Sequence, residues 1–545
     1  MSMKNCGRCR QSFEIPPEDV VFLSKFEVPD PKLCPDCRSQ RRFAFRNDRN
    51  FYKRNCDLCK KLIVSICSPD KPFPVYCKDC YLSDQFDPLA YGQDFDFSRS
   101  FFDQFAEMRA KVPRVASYHT LSENSDYTVH SGNNRNCYMG SSLVNCENVY
   151  YSDWAFYSKD CSDLYLSQHM ERCYECMECE QCYQSIWLEN CTGVSFSGFC
   201  FDCRSSQNLL GCVGQRQKKF MILNQPVPEA VFKETQQRLL TDSAFRSDFV
   251  KKFEALRLSL PVKSMWDKNS ENCSGNYIAN SRNAKNAYAV KDIEDGSHLF
   301  EVGTLKDGMD VTRCARGEFL YEVKGAIDLK NSKFTNLCYQ SSQLEYCDNC
   351  QSSHNSFGCM GLKNHRYCIL NKQYSPEAYK ELMEKIKTHM RATGEYGEFF
   401  PTSLSVYGYN ETRACDFYPL SKEQALAEGL KWREPDVKNF STQTFATLES
   451  IAAVPDSVVN EILACELCRK NFRIISQELA LYKNLGVPLP RRCYDCRNRT
   501  RMALETPRYL WNRNCDQCAT AIQTTYSSDR PERVFCEKCY LETIG

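Results

Sequence analysis

Eight cysteine pairs of one spacing stand at the two ends of this chain, four at each end. Near the start they are Cys6-x2-Cys9, Cys34-x2-Cys37, Cys56-x2-Cys59 and Cys77-x2-Cys80. Near the end they are Cys465-x2-Cys468, Cys493-x2-Cys496, Cys515-x2-Cys518 and Cys536-x2-Cys539. Each cysteine of the second set follows its counterpart at one constant offset, that from Cys6 to Cys465, so every gap between pairs recurs without insertion. Paired thiolates at fixed gaps are what tetrahedral Zn²⁺ requires, because each CxxC turn supplies two sulfurs and two turns close an S4 site. Two modules, 1–83 and 460–545, are therefore expected to hold about four zinc ions. Four thiolates leave no position for water, so the expected metal role is structural, with iron in a rubredoxin-like site as the lesser alternative.

At 545 residues the chain exceeds one core and implies three to four domains. A net charge of +1 gives no global argument for a polyanionic partner. No run is long enough to cross a bilayer, and the first residues lack the apolar core of a signal peptide. These features point to the cytosol, where 36 cysteines read as metal ligands or free thiols rather than disulfides. All seven histidines lie between His119 and His389, so the terminal sites should be all-cysteine.

The repeat separates ligands from bystanders. Cys67 faces Tyr526 in the other copy and reads as a small packing residue. Sequential pairing of the CxxC turns is the simplest arrangement; a cross-braced one uses the same sulfurs, and spacing does not exclude it. In each module the order is knuckle, short strand, then a second knuckle opening a helix. After that knuckle the chain turns basic and aromatic: Arg38, Arg41, Arg42, Arg46, Arg49 and Arg54, with Arg497, Arg499, Arg501 and Arg513 in the copy. Arginine grips phosphate bidentately and aromatic rings stack on unpaired bases, which makes these residues candidate nucleic-acid contacts. The blander reading is a solvated helix face that balances a dianionic Zn(Cys)4 centre.

Between the modules lie a connector (84–117), two related stretches (118–262 and 263–394) and a second connector (395–459). The stretch 208–234 parallels 355–381 through Gly-Cys-x-Gly, Ile-Leu-Asn and Pro-Glu-Ala. Helices are expected over 228–240, onward to about 257, over 376–392 with Ser375 as cap, and over 421–429 with a Ser421/Gln424 capping box. Ahead of the helix in each of the two stretches, at 228 and at 376, run short units such as Asn-Cys-Glu-Asn-Val-Tyr-Tyr-Ser. Cys146, Cys161, Cys176 and Cys191 are evenly stepped, which suggests rungs of a β-solenoid with cysteine and asparagine ladders inside. Cys173, Cys176, Cys179 and Cys182 form a ferredoxin-like string without its final gap and proline, a minor candidate for a metal or cluster. Cys347-x2-Cys350 is weaker still, and His169 and His365 read as ordinary polar residues. The expected class is thus multidomain and mainly β: two double treble-clef zinc modules flanking a duplicated cysteine-rich β-solenoid-like region with helical inserts.

The motifs LCPDCRSQRR, RNCDLC with VYCKDCY, GYNETRACDFYPLSKEQAL, and LACELCRKNFRI with PLPRRCYDCR resemble a family of zinc-ribbon (treble-clef) proteins of small-genome candidate-phylum bacteria. The resemblance covers nearly the full length and implies zinc binding and a cytosolic place, without an activity. Some members of that family carry a CaiB/BaiF acyl-CoA-transferase label. This sequence has no large α/β domain around a catalytic aspartate, and its β-units are too short for one. No paired acid and base, and no nucleophile with its base, is evident. The expectation is a non-enzymatic binding or scaffold protein, with RNA, DNA or a ribonucleoprotein as partner and a protein partner as the alternative.

Overall fold

A computed structural model describes residues 2–314, 320–322, 333, 338–339, 342–434 and 441–544. Parts of the second repeat stretch and of the second connector lie outside the described residues. The chain divides into two compact units. One comprises Met1–Ser117, Met265–Glu434 and Arg508–Leu510; the other comprises Tyr118–Ser264, Pro435–Pro507 and Trp511–Gly545. Each unit therefore holds one cysteine module and one repeat stretch, and the pairing is crossed. The N-terminal module belongs with the second stretch, and the C-terminal module with the first. We call these the first and second units.

The repeat stretches are stacks of short parallel strands with a register of twelve, apart from a step of eleven that opens the second stretch at Asp267 and Ile278. Val149 pairs with Cys161, Leu188 with Cys200, Leu209 with Met221, and in the second stretch Val290 with Val302 and Ser356 with Cys368. From Asn145 to Leu223 every third residue has positive φ. Each rung is thus four triplets: a left-handed corner, an inward residue and an outward residue. A left-handed conformation costs roughly 1–2 kcal/mol for a residue with a Cβ, which explains the Asn and Asp at many corners. Bulky corners such as Trp154 and Trp187 (φ 52° and 54°) are held in that strained conformation by the surrounding rungs.

The inward residues of the first stack are small or apolar, namely Cys, Ser, Leu, Val, Ala and Met. Cysteine and serine do the same work there. The Cys191 thiol donates to Glu189 O and Cys200 O at 3.3 and 3.6 Å. Ser152 Oγ donates to Tyr150 O at 3.0 Å and accepts the Leu164 N–H at 3.1 Å. This exchangeability lets cysteines thin out in the second stack without loss of the architecture.

Two expectations are corrected. The even step of Cys146, Cys161, Cys176 and Cys191 is five triplets, whereas the stacking step is four. Cys161 consequently stacks on Val149, not on Cys146. Asparagines do form ladders, but at the corners instead of inside: Asn124, Asn136, Asn148 and Asp160 are linked by amide hydrogen bonds of 2.9, 3.1 and 2.7 Å. A carboxamide does sit inside, where Asn134 donates to Leu143 O at 2.8 Å and accepts the Cys146 N–H at 2.9 Å, but the ladder itself runs along the corner.

Helices follow the stacks as expected, at Glu229–Thr241, Ser243–Ser259 and Pro376–Ala392, the last capped by Ser375. The Ser421/Gln424 capping box opens the helix Lys422–Ala427. Among the described residues no helix is long and apolar enough to cross a membrane.

Candidate metal centres

Each module opens with a hairpin, Ser2–Asn5 with Ser12–Ile15 in the first, whose turn carries Cys6 and Cys9. A helix not foreseen from sequence, Pro17–Lys25, fills part of the gap before Cys34. Cys34 then caps the helix Pro35–Phe43, and Cys37 lies in its first turn. The second half repeats the scheme, with Cys56 and Cys59 in a hairpin turn and Cys77 capping Lys78–Leu82. In the four hairpin knuckles the residue after the second cysteine is left-handed: Arg10, Lys60, Arg469 and Ala519, at φ 60–64°. None is glycine, so the sequence hides this turn.

The sulfurs gather into four sequential tetrads: Cys6, Cys9, Cys34, Cys37; Cys56, Cys59, Cys77, Cys80; Cys465, Cys468, Cys493, Cys496; and Cys515, Cys518, Cys536, Cys539. Within each, all four lie within 4.8 Å of one another. Zn–S bonds of about 2.3 Å at the tetrahedral angle separate sulfurs by about 3.8 Å. The measured Cys9–Cys34, Cys59–Cys77, Cys468–Cys493 and Cys518–Cys536 distances are 3.8, 3.8, 3.6 and 3.8 Å. Backbone N–H groups point at the sulfurs: Cys34 N to Cys6 Sγ at 3.3 Å, and Cys77 N to Cys56 Sγ and Cys536 N to Cys515 Sγ, both at 3.2 Å. The second pair of each tetrad also sits at a helix N-terminus, where the dipole favours thiolate.

Ionisation within a tetrad is uneven. A hydrogen bond from the Cys37 thiol brings Cys34 down to about 5, against its burial. That same bond pushes Cys37 far up. Burial opposes ionisation of Cys465, but the N–H groups of Cys468 and Cys493 outweigh it and bring the group to about 6. Hydrogen bonds with Thr520 bring Cys518 to about 6, while burial and then the neighbouring thiols push Cys80 up to about 12. One sulfur ionises readily and the next resists. A divalent cation at the centre would remove that resistance, so the donor set fits a thiophilic metal such as Zn²⁺.

The central string behaves otherwise. Cys173, Cys176, Cys179 and Cys182 are the four inward residues of one rung, so their CxxC spacing is the triplet period itself. They are buried, and among the described residues they form no tetrad. Burial pushes the Cys173, Cys176 and Cys179 thiols well up, and their protons go to carbonyls such as Glu171 O at 3.3 Å and Met177 O at 3.2 Å. Cys347 and Cys350 bond likewise to Glu345 O and Asp348 O. His169 stacks on Tyr157, and Cys67 is buried outside the tetrads.

Most of the arginines named above are engaged. Arg38 Nε meets Asp310 at 2.5 Å and Arg42 meets it at 3.2 Å; Arg41 bridges Glu322 and Glu398 at 2.6 and 2.8 Å. In the second unit Arg497 and Arg501, the counterparts of Arg38 and Arg42, grip Asp163 at 3.0 and 2.8 Å. These side chains are buried. Arg46 pairs with Asp48, and Arg49 with Asp416. Arg54 and Arg513 brace their own hairpins through Ser68 O and Ser527 O, both at 3.0 Å. Arg499 donates to Cys496 Sγ at 3.1 Å.

Asp163 and Asp310 are left-handed corners of the two stacks, and each stack makes a second contact further along, at Asp202 and Asn349. Asn349 donates to the Tyr81 hydroxyl at 2.7 Å, and Asp202 accepts from the Tyr540 hydroxyl. A third contact joins Asp19 to His298 at 2.8 Å in the first unit and Glu478 to the Tyr151 hydroxyl at 3.1 Å in the second. The sequence carried a signal for these residues. Asp163 and Asp310, Asp202 and Asn349, and Tyr151 and His298 all share one offset, that of the repeat that places 355–381 after 208–234. No protein-family model matches the chain, and no curated protein matches it.

Proposed function

We propose that the chain is a zinc-stapled, non-enzymatic scaffold, in which double treble-clef modules seat on β-solenoids. The observation that carries this reading is the repeated seating. In both units the helix that completes a tetrad also delivers an arginine pair into one buried corner aspartate. The metal then fixes the helix, and the helix fixes the module. Four sulfurs close each tetrahedron, which suits a structural metal and leaves no site for a metal-bound water. Because the buried arginines are committed to carboxylates, a protein partner is the favoured occupant of the remaining surface. Native mass spectrometry of purified protein should find about four zinc ions, and affinity capture should retain partner proteins after nuclease treatment. A visible absorbance band in place of zinc would overturn the reading.

A second reading, contact with RNA or DNA, rests on basic residues that stay exposed, namely Arg10, Lys53, Arg469, Arg492 and Arg499. Titration with single-stranded and duplex nucleic acid across salt tests it. Phosphate contacts require an affinity that falls as salt rises, and absence of binding at low salt rejects them.

A further inference from the structure

The two units differ at one buried corner, and the difference leaves a carboxylate without its cation. Asp163 and Glu175 occupy the same corner on successive rungs of the first stack, and Asp310 and Glu322 do so on the second. Successive rungs lie about 4.8 Å apart, so each pair presents two adjacent carboxylates to the docked module. In the first unit, Arg38 and Arg42 take Asp310 while Arg41 takes Glu322 at 2.6 Å. In the second unit, Arg497 and Arg501 take Asp163, but the position of Arg41 is Thr500. Thr500 is exposed; its hydroxyl donates to Cys496 O at 3.0 Å and accepts from Arg492 at 3.2 Å.

Glu175 is half-buried and, among the described residues, makes no ion pair. The Tyr174 phenol is close enough to hydrogen-bond with it, and Arg501 and Arg497 act on it only through space.

We propose that Glu175 is a docking point for an arginine side chain presented by a partner protein, its guanidinium taking the place that Arg41 holds in the first unit. The proposal rests on the scaffold reading and names the chemistry of its partner. The duplicate corner identifies the occupant: the same carboxylate pair, on the same architecture, is filled by arginine. A planar guanidinium can meet one carboxylate through two parallel N–H groups, where a lysine ammonium offers only a point charge.

Carboxyl footprinting of the zinc-loaded full chain tests this, with a carbodiimide and glycine amide as reagents and peptide mass spectrometry as readout. Glu175 should be labelled while Glu322 in the same molecule is protected. N-acetyl-arginine amide should suppress the Glu175 label at concentrations where N-acetyl-lysine amide does not. Thr500→Arg should remove the label with no probe added. A scaffold that captures no partner would leave these labelling outcomes unchanged, so the two failures are distinguishable. The proposal is overturned if Glu175 is already protected in the untreated protein, or if capped arginine and capped lysine suppress its label equally.

Discussion

The first unit seats its module with three arginines on two carboxylates, the second with two arginines on one. Both keep the central grip of an i, i+4 arginine pair on a corner aspartate, and both keep a tyrosine contact further along the stack. Around that grip the chemistry drifts: Asp19 with His298 becomes Glu478 with Tyr151, and Arg41 becomes Thr500. The lesson is that the buried pair sets the position of the helix, while the peripheral contacts are free to vary. A buried charge stripped of its partner is costly, whereas a half-exposed one can turn to water.

The largest effect should come from the feature the two units share. Structural zinc in finger-like modules carries about 10–16 kcal/mol of apparent binding free energy that is also folding free energy. A strong chelator at neutral pH should therefore unfold both modules, seen as loss of four metals in native mass spectra and of helical circular dichroism. A module that stays folded without metal would break the equivalence.

Next come the corner aspartates. Asp310→Ala and Asp163→Ala each take the main partner from two buried guanidiniums, leaving Arg42 only Glu322 and Arg497 only Glu478, both at 3.8 Å, and should cost about 3–5 kcal/mol. Hydrogen exchange should speed up in the helix Pro35–Phe43 for the first variant and in Tyr494–Met502 for the second. Exchange in the helix of the other unit should not change. Arg41→Thr copies the second unit into the first and leaves Glu322 only the longer contact with Arg42 at 3.8 Å, for about 3 kcal/mol or less. Urea denaturation would measure it, and a loss as large as that of Asp310→Ala would show that the third arginine is not peripheral.

Smallest is Cys173→Ser. Serine already fills the next position of that column, since Cys173 pairs with Ser185, and makes the same hydrogen bond to a carbonyl two residues back. The change should cost about 1 kcal/mol or less, with the zinc count unaltered. A lost metal would place a ligand in the stack after all.

The metal centres were legible because their determinants are local. Two cysteines on one turn mark half a site whatever the rest of the chain does, while the choice of sequential over cross-braced pairing came from the fold. The helix Pro376–Ala392 was equally plain, since its Ser-Pro start acts within one turn. Rung length was harder. Cysteines at 137, 146, 161, 173, 176, 179, 182 and 191 all fall on one triplet phase. A step of five triplets and a step of four both obey that phase, and only pairing between strands selects four.

By itself the sequence determined the sixteen terminal cysteines that gather into tetrads, the duplication of the modules and the inward character of most central cysteines, because each is written in short spacing or exact repetition. The tertiary structure decided which module sits on which stack and what the arginines do. Arg497 and Asp163 lie 334 residues apart, and no local preference distinguishes a guanidinium awaiting phosphate from one that will bury itself against a carboxylate. That choice is made by desolvation when module and stack close, when every buried charge must find its opposite.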